Sequence, residues 1–197
     1  IRIKPLNTKF MNHIENLLWE EKYRPKQIDD LILPSRVTKK IENGLYTHML
    51  FHGSPGSGKT STAKVLADGH PYLYINCSVE SGKDTVKTKI TDFASGFSLI
   101  DGEKKTKVII LDEFDGVSLD YFKAMRGTME QFHKTTRFVA TCNYFNKIPA
   151  EIQSRFECVN FDFDQDEISE VEKSYMKRVY KICINEGMTI EKDAMVE

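Results

Sequence analysis

The sequence lacks several features that define large classes of proteins. None of its apolar runs approaches the roughly 20 residues that a membrane-spanning helix needs, and its first residues do not resemble a signal peptide. It has almost no net charge, at −1 over 197 residues, so its composition gives no electrostatic reason to expect a nucleic-acid partner. Any surface that binds nucleic acid would have to be local, and no membrane partner is expected.

Cysteine is also scarce, and its spacing excludes common metal motifs. The four cysteines lie far apart and form no C-x-x-C pair: Cys77, Cys142, Cys158 and Cys183. This spacing disfavours zinc and favours reduced thiols in a cytosol-like compartment. That compartment would be the cytoplasm, the host cytoplasm for a virus-encoded protein, or the nucleus of a eukaryotic cell.

What the sequence does contain is enough apolar material for one or two domains, with 40% hydrophobic and 29% charged residues. It begins with Ile1 rather than Met and stops at "KDAMVE" without a helix-stop signal. We therefore expect a piece of a longer polypeptide.

Apolar strands alternate with helical stretches from His48 onward. The segment "VIILD" is almost continuously apolar, as expected for a strand covered on both faces. The alternation predicts an α/β fold, a parallel five-stranded sheet with helices on both faces. The predicted strands are His48–His52, Tyr72–Asn76, Lys107–Leu111, Arg137–Thr141 and Cys158–Phe163, and the predicted helices are 59–69, 84–96 and 118–132.

The pattern changes after Phe163. Residues 164–187 carry apolar side chains at helical spacing, begin with acids and end at Gly187, which predicts a capped helix. Because no strand pattern follows, we expect residues 164–197 to begin a small helical lid domain. Residues 1–18 carry little pattern and are expected to form a tail or a first helix.

The segment "GSPGSGKT" matches the P-loop pattern G-x-x-x-x-G-K-[ST] between a predicted strand and a predicted helix. In a P-loop, backbone N–H groups and the positive end of the following helix surround phosphates. Lys59 would reach the β- and γ-phosphates, and the Thr60 hydroxyl would bind Mg²⁺. The alternative is a glycine-rich turn without a ligand. The phosphate-binding candidates are Gly53, Ser54, Pro55, Gly56, Ser57, Gly58, Lys59, Thr60 and Ser61.

Polar residues also end two other predicted strands. Asp112 is suited to hold the Mg²⁺ shell, and the adjacent Glu113 is suited to activate a water for attack on the γ-phosphate. Asn143 could contact the γ-phosphate or the water, although an Asn often simply starts a turn. The Asp-Glu pair favours hydrolysis over transfer to an acceptor, because the sequence specifies no acceptor.

These motifs together resemble an AAA+ ATPase, and more narrowly the ATPase subunits of sliding-clamp loaders, the replication factor C and T4-type phage group. The resemblance rests on the P-loop with "EKYRP", "RGTME" and "CNYFNKI…IQSR", and it covers residues 19–163 as the AAA+ P-loop ATPase domain. It implies that ATP binding opens a ring-shaped clamp and that DNA-stimulated hydrolysis releases it on primed DNA. The implied partners are other loader subunits in a ring or spiral, pentameric oligomer, the sliding clamp and primer–template DNA.

The resemblance also gives Arg155 a role. From the sequence alone, the nearest acids are Glu151 and Glu157, which offer only a local ion pair, so Arg155 has no better partner within its own segment. In clamp loaders the arginine of "SR" enters the ATP site of the neighbouring subunit, and Arg155 is expected to act there in trans. Arg126 and Glu130 resemble interface or coupling residues, or else an exposed i,i+4 pair.

Two further sets of residues follow from the resemblance. The adenine pocket is expected to contain Tyr23, Arg24, Pro25 and Ile32. Primed DNA is expected to contact a helix N-terminus through Lys83, Lys87 and Lys89, with Lys87 foremost, although composition alone favours a solvated lysine face.

The sequence departs from the clamp-loader pattern at three positions. Phe156 follows the "SR" pair where Cys is common, and a change in packing rather than chemistry is expected there. Phe122 and Ser81 stand where Gln and Arg are frequent, which leaves the route of DNA-to-ATP coupling open. A second arginine, expected from the lid, lies beyond the end of the sequence.

Two rival functions remain from the sequence. One is another AAA+ machine, such as a helicase loader or a protein remodeller. The other is a non-hydrolysing subunit that binds ATP as a structural ligand, against which the intact Glu113 argues.

Overall fold

The computed structural model describes residues 18–96, 99–100 and 103–188. Its strands are β1 (Met49–His52), β2 (Tyr72–Asn76), β3 (Leu99–Ile100), β4 (Glu103–Lys104), β5 (Lys107–Asp112), β6 (Thr136–Cys142) and β7 (Glu157–Asn160). Five of them form one parallel sheet in the order β2–β5–β6–β1–β7, and β3 and β4 pair separately in antiparallel fashion. The predicted parallel five-stranded sheet is therefore confirmed.

The helices are α1 (Trp19–Lys22), α2 (Ser35–Ile41), α3 (Lys59–Ala67), α4 (Lys83–Thr85), α5 (Thr91–Ser95), α6 (Leu119–Phe132), α7 (Ala150–Gln153) and α8 (Gln165–Asn185). A π-helical segment, Val86–Ile90, joins α4 to α5, and short 3₁₀ turns lie at Ile28–Asp30, Phe114–Gly116 and Phe145–Lys147.

The differences from the predicted elements have local causes. The last strand stops at Asn160 rather than Phe163, because its partner β1 ends at His52, which lies opposite Asn160. The β3–β4 pair was not predicted, although "DG" at residues 101–102 is a common hairpin dipeptide. The predicted helix 84–96 contains the π-helical segment.

The sheet is covered on both faces, because alternate side chains of its strands enter two different apolar clusters. Ile109 and Leu111 of β5 belong to the cluster that contains Met125 of α6. Val108 and Ile110 belong to the cluster formed with α2 and α3. This alternation is the period of two that places neighbouring residues on opposite faces of a strand.

The helix predicted after Phe163 is present as α8. Asp164 and Glu167 form a capping box at its start, and Gly187 follows its end with φ of 73°. Arg36 of α2 donates to the carbonyl oxygens of Asn160 and Asp162 and to the Glu167 carboxylate, so it fastens the start of α8 to the sheet domain.

Two parts of the predicted domains, residues 1–17 of the tail and residues 189–197 of the lid, lie outside the described residues. The boundaries at residues 18 and 163 stay predictions. Among the helices that the structure describes, none combines the length and apolarity that crossing a membrane requires.

Candidate functional site

A cavity of about 330 Å³ lies at the carboxyl ends of β1, β5 and β6. This edge of a parallel sheet is where α/β proteins bind ligands. The cavity is lined by Pro55, Gly56, Gly58, Lys59, Thr60, Ser61, Asp112, Glu113, Thr141, Cys142 and Asn143. The predicted loop, strand-end acids and Asn are therefore brought together, although Gly53, Ser54 and Ser57 do not line the cavity themselves.

Lys59 is the positive charge inside the loop. Its Nζ donates to the carbonyl oxygens of Gly53 and Ser54, each at 2.8 Å, and to Ser57 Oγ at 3.3 Å. The residue is 7% exposed, and burial lowers the pKa of its ammonium group. The loop thus holds one desolvated cation on the floor of the cavity, where it can contact an anion.

Asp112 is the acceptor for hydroxyl groups from three different elements. Its Oδ1 accepts from Thr60 Oγ1 at 2.8 Å and from Thr141 Oγ1 at 2.5 Å. Its Oδ2 accepts from the Tyr74 hydroxyl at 2.6 Å. Asp112 is 7% exposed, and these bonds offset the cost of burying a carboxylate.

The sequence analysis did not identify Thr141 and Tyr74 as site residues. Each lies at or near the carboxyl end of a strand next to β5, so the strand order, which the sequence analysis did not predict, would have revealed them. Burial, followed by the hydrogen bond to Asp112, raises the pKa of the Tyr74 phenol above its ordinary value. Tyr74 therefore stays protonated and remains a donor.

Glu113 and Asn143 face solvent at the mouth of the cavity. Glu113 adopts a left-handed backbone conformation with φ of 55°, which is uncommon for a residue with a side chain. Its backbone N–H donates to Thr141 Oγ1 at 3.2 Å, which holds this conformation next to Asp112. Both side chains are exposed and line the same cavity as Lys59.

Asp162 contacts the beginning of the P-loop, although no motif of the sequence points to it. Its Oδ1 accepts from the Ser54 backbone N–H at 2.6 Å, and this bond lowers the pKa of the Asp162 carboxyl. Gly53 has φ of 139°, and a Cβ there would lie 2.9 Å from the Asp162 backbone nitrogen. The loop can start in this way only with glycine at position 53.

A second cavity, of about 590 Å³, lies beside the first and shares Thr60 and Ser61 with it. Its other lining residues are Trp19, Tyr23, Arg24, Pro25, Lys64 and Ile182. The predicted Tyr23, Arg24 and Pro25 are therefore at one cavity next to the P-loop, whereas Ile32 is partly buried outside this lining. Arg178 of α8 donates to the Tyr23 carbonyl oxygen at 2.9 Å, which attaches this segment to the helix.

Arg155 has a partner that the sequence analysis did not find. Its guanidinium pairs with the Glu130 carboxylate near the end of α6 and also donates to the Glu151 carbonyl oxygen. The sequence analysis considered only the acids nearest in sequence, Glu151 and Glu157, whereas folding places α6 beside α7 and brings Glu130 to Arg155. The ion pair with Arg155 lowers the pKa of Glu130.

The exposed i,i+4 pair considered for Arg126 and Glu130 does not form. Arg126 instead pairs with the Glu151 carboxylate at 2.8 Å. Glu157 accepts a hydrogen bond from the Tyr46 hydroxyl at 2.7 Å. Two ion pairs therefore join α6 to the region of α7, and their four side chains are between 29% and 72% exposed.

The three predicted DNA-binding lysines lie on and after α4. Lys83 is exposed at its start, and Lys89 pairs with the Glu80 carboxylate. The backbone of Lys87 belongs to the π-helical segment, and its side chain lies outside what the structure describes. Contact of these lysines with DNA stays a prediction.

Two phenylalanines that depart from the clamp-loader pattern, Phe122 and Phe156, are part of the core. Phe122 is 4% exposed and packs edge-on against Phe114, with ring centroids 5.0 Å apart. Phe156 is 8% exposed and lies 6.3 Å from Phe114 by the same measure. A polar side chain at either position would lose its contact with water, so the apolar surroundings favour phenylalanine there.

Fold and site together define a P-loop nucleotide-binding protein of the α/β class. Residues 49–162 match the model of the ATPase family associated with various cellular activities, or AAA. Because this match covers more than half of the sequence, the chain belongs to the AAA family.

The chain is similar to replication factor C subunits. It is 38% identical over 192 residues to a replication factor C small subunit of Methanocella arvoryzae, covering 92% of this chain and 57% of the relative. It is also 38% identical over 199 residues to replication factor C subunit 4 of Arabidopsis thaliana, with 90% and 56% covered. The resemblance to this group is therefore confirmed, and the chain spans about half the length of the curated relatives it matches.

Solved structures support the fold. The Thermotoga maritima RuvB Holliday junction branch migration motor aligns with a TM-score of 0.61 at 22% identity, covering 77% of this chain and 53% of that chain. At this identity the likeness shows the AAA fold alone.

Proposed function

We propose that this chain is the ATP-hydrolysing AAA+ region of a sliding-clamp loader subunit, with its complete active site formed between two neighbouring subunits. Similarity to replication factor C subunits over most of the chain supports the class of machine. The position of Arg155 relative to the P-loop supports the shared site.

The position of Arg155 is the observation that carries the proposal. Glu157, two residues after Arg155, pairs with Met49, the first residue of β1, whereas the P-loop begins after His52 at the other end of that strand. Four strand residues span roughly 13 Å, and α6 holds the arginine away from the loop through Glu130. Arg155 is therefore turned from its own P-loop and available to a second molecule's phosphates.

Within one subunit, the carboxyl edge supplies the remaining groups. Thr60 and Asp112 offer a hydroxyl and a carboxylate oxygen 2.8 Å apart, a donor set that suits Mg²⁺. When bound, Mg²⁺ would neutralise charge on the β- and γ-phosphates. Lys59 would bind the same phosphates from the loop.

Glu113 and Asn143 would act on the attacking water. Glu113 accepts a proton from the water as its oxygen bonds to the γ-phosphorus and the bond to the ADP oxygen breaks. Asn143 contacts the γ-phosphate or the water from the neighbouring strand. Arg155 from the adjacent subunit would stabilise the negative charge of the transition state.

The wider cycle follows from the clamp-loader assignment. ATP, bound between subunits of a ring or spiral pentamer, tightens the assembly so that it opens the sliding clamp. Primer–template DNA then completes the active sites, and hydrolysis releases the clamp on DNA. A replication protein of this kind works in the cytoplasm or, in a eukaryotic cell, in the nucleus.

The test is ATP turnover by the native complex, measured alone, with primer–template DNA, and with DNA plus the clamp from the same source. We expect the highest rate with both, and we expect Glu113→Gln in this subunit to lower it while ATP binding persists. Stimulation by a protein substrate instead of DNA would indicate a remodeller. Tight binding with no dependence of turnover on Glu113 would indicate a non-hydrolysing subunit.

The DNA contact makes a separate prediction. Lys87→Ala in the assembled loader should weaken binding to primer–template DNA about equally for different sequences, because a lysine on the phosphate backbone does not read bases. The slope of log affinity against log salt concentration should fall by roughly one. Lys123→Ala, a change of an exposed lysine on α6, serves as the control. An unchanged slope in Lys87→Ala would remove this residue from the DNA surface.

A further inference from the structure

We propose that Tyr74 is a positioning residue for Mg²⁺-dependent nucleotide binding, because its hydroxyl fixes the orientation of the Asp112 carboxylate. The inference rests on the proposed function of the same site and adds a residue that neither the P-loop nor the strand-end acids would identify. Tyr74 lies on β2, two residues before that strand's carboxyl end.

The two oxygens of Asp112 have different surroundings. Oδ1 accepts from Thr60, at the start of α3, and from Thr141, at the end of β6, so this oxygen faces the phosphate cavity. Oδ2 points the other way, toward β2, where the Tyr74 hydroxyl donates to it at 2.6 Å.

The terminal torsion of an aspartate is soft, so the carboxylate needs hydrogen bonds on both oxygens to keep one orientation. When Thr60 turns its hydroxyl toward a metal ion, Oδ1 loses one of its two donors. The bond from Tyr74 to Oδ2 is unaffected by that change and would keep Oδ1 directed at the cavity. Partners of this kind commonly alter metal affinity by about 10- to 100-fold.

Tyr74 is itself held in place. Its strand pairs in parallel with β5, with Tyr74 opposite Ile110 and Asn76 opposite Asp112. The Lys64 ammonium group of α3 lies 4.9 Å from the centre of the Tyr74 ring. Because Lys64 also lines the second cavity, this contact links that cavity to the Asp112 carboxylate through one rigid aromatic ring.

The test uses Tyr74→Phe, which removes the hydroxyl and keeps the ring under Lys64. Tyr72→Phe on the same strand is the matched control, because Tyr72 is also exposed and its ring lies at the far end of β2 from Asp112. The affinity of a fluorescent ATP analogue for the full-length protein is measured across a Mg²⁺ titration and again in EDTA. Thermal melting is recorded for each variant.

In Tyr74→Phe we expect the Mg²⁺ concentration for half-maximal nucleotide binding to rise by about tenfold, with the affinity in EDTA unchanged. Tyr72→Phe should match the wild type in both. A Mg²⁺ requirement unchanged in Tyr74→Phe, or an equal loss of affinity with and without Mg²⁺, would overturn the inference. An equal loss of affinity would assign the hydroxyl a general structural role, and we would then expect a lower melting temperature for Tyr74→Phe as well.

A failure of the proposed function gives a different result. If the wild-type protein binds the analogue with no dependence on Mg²⁺, the assignment of Thr60 and Asp112 to a metal site is wrong, and the inference about Tyr74 falls with it. If Mg²⁺ strengthens wild-type binding and Tyr74→Phe behaves as the wild type, the proposed function stands and the inference alone is wrong.

Discussion

The carboxyl edge of the parallel sheet, where its strands end, and the amino edge, where they begin, hold charged side chains in opposite ways. At the carboxyl edge, Lys59 and Asp112 are each 7% exposed, and each side chain has three hydrogen-bond partners within the chain. At the amino edge, Arg155 and Glu130 form an ion pair whose side chains are 29% and 61% exposed. Apart from the exposed Glu113, the charges of the carboxyl edge are held by hydrogen bonds within the chain, whereas the ion pair of the amino edge faces outward.

The difference indicates what each edge is built to do. Buried charges are costly to rearrange, so the carboxyl edge is suited to hold a reaction in a fixed geometry. Exposed ion pairs add little stability because water and salt screen them. In the proposed assembly, Arg155 would therefore leave Glu130 for a phosphate of a neighbouring subunit at small cost.

The largest predicted effect tests this exchange of partners. Arg155→Ala should lower ATP turnover of the assembled loader by about 10³- to 10⁵-fold at the affected site, the range for an arginine acting in trans. Nucleotide affinity of the isolated subunit should stay near the wild-type value. Turnover is measured on reconstituted complexes, and affinity by titration of the single subunit.

Glu130→Gln is the matched control, because it breaks the same ion pair and leaves the arginine in place. Its assembled turnover should remain close to that of the wild type. If both variants lose activity equally, the ion pair has a structural role in this region, and transfer of Arg155 to a neighbour is contradicted. A loss of affinity in isolated Arg155→Ala would contradict it as well.

The same contrast explains how much of the molecule its sequence reveals. The sheet, its helices and the P-loop were predictable because local patterns determine them: an apolar run such as "VIILD" and a glycine-rich loop each depend on neighbouring residues. The residues at the ends of β5 and β6, such as Asp112 and Asn143, were predictable because strands of a parallel sheet end at one edge.

The unpredicted contacts all join distant segments. Tyr74 reaches Asp112 over 38 residues, Asp162 reaches Ser54 over 108, and Glu130 reaches Arg155 over 25. They depend on strand order and on the side-by-side packing of α6 and α7, which no local pattern contains. Arg155 shows the consequence, because its proposed role came from a resemblance, whereas its ion pair with Glu130 was found only in the fold.

A substitution at the start of the P-loop tests how tightly the carboxyl edge is built. Gly53→Ala should lower stability by about 1–3 kcal/mol and abolish ATP binding, because the new Cβ would lie 2.9 Å from the Asp162 backbone nitrogen. Chemical denaturation and nucleotide titration measure the two effects. Gly44→Ala is the control, since its φ of 73° is also left-handed but its Cβ would meet no atom within 4 Å.

Gly44→Ala therefore reports the strain of a left-handed backbone alone, and the excess loss in Gly53→Ala reports the close contact with Asp162 together with the larger strain of a φ of 139°. Equal losses in the two variants would show that the P-loop can shift to accept a side chain. The carboxyl edge would then be less rigid than its hydrogen bonds suggest, and the contrast between the edges would weaken.

The smallest effects compare one polar contact at each edge. Thr141→Val removes a buried hydroxyl bonded to Asp112 and should destabilise the fold by about 1–3 kcal/mol with little dependence on salt. Glu151→Gln removes the exposed ion pair with Arg126 and should cost at most about 1 kcal/mol, falling toward zero as salt is raised. Urea unfolding at low and high ionic strength measures both. A Glu151→Gln loss that persists in high salt would mean that the amino edge is also fixed from within, and Arg155 would not then be free to exchange partners cheaply.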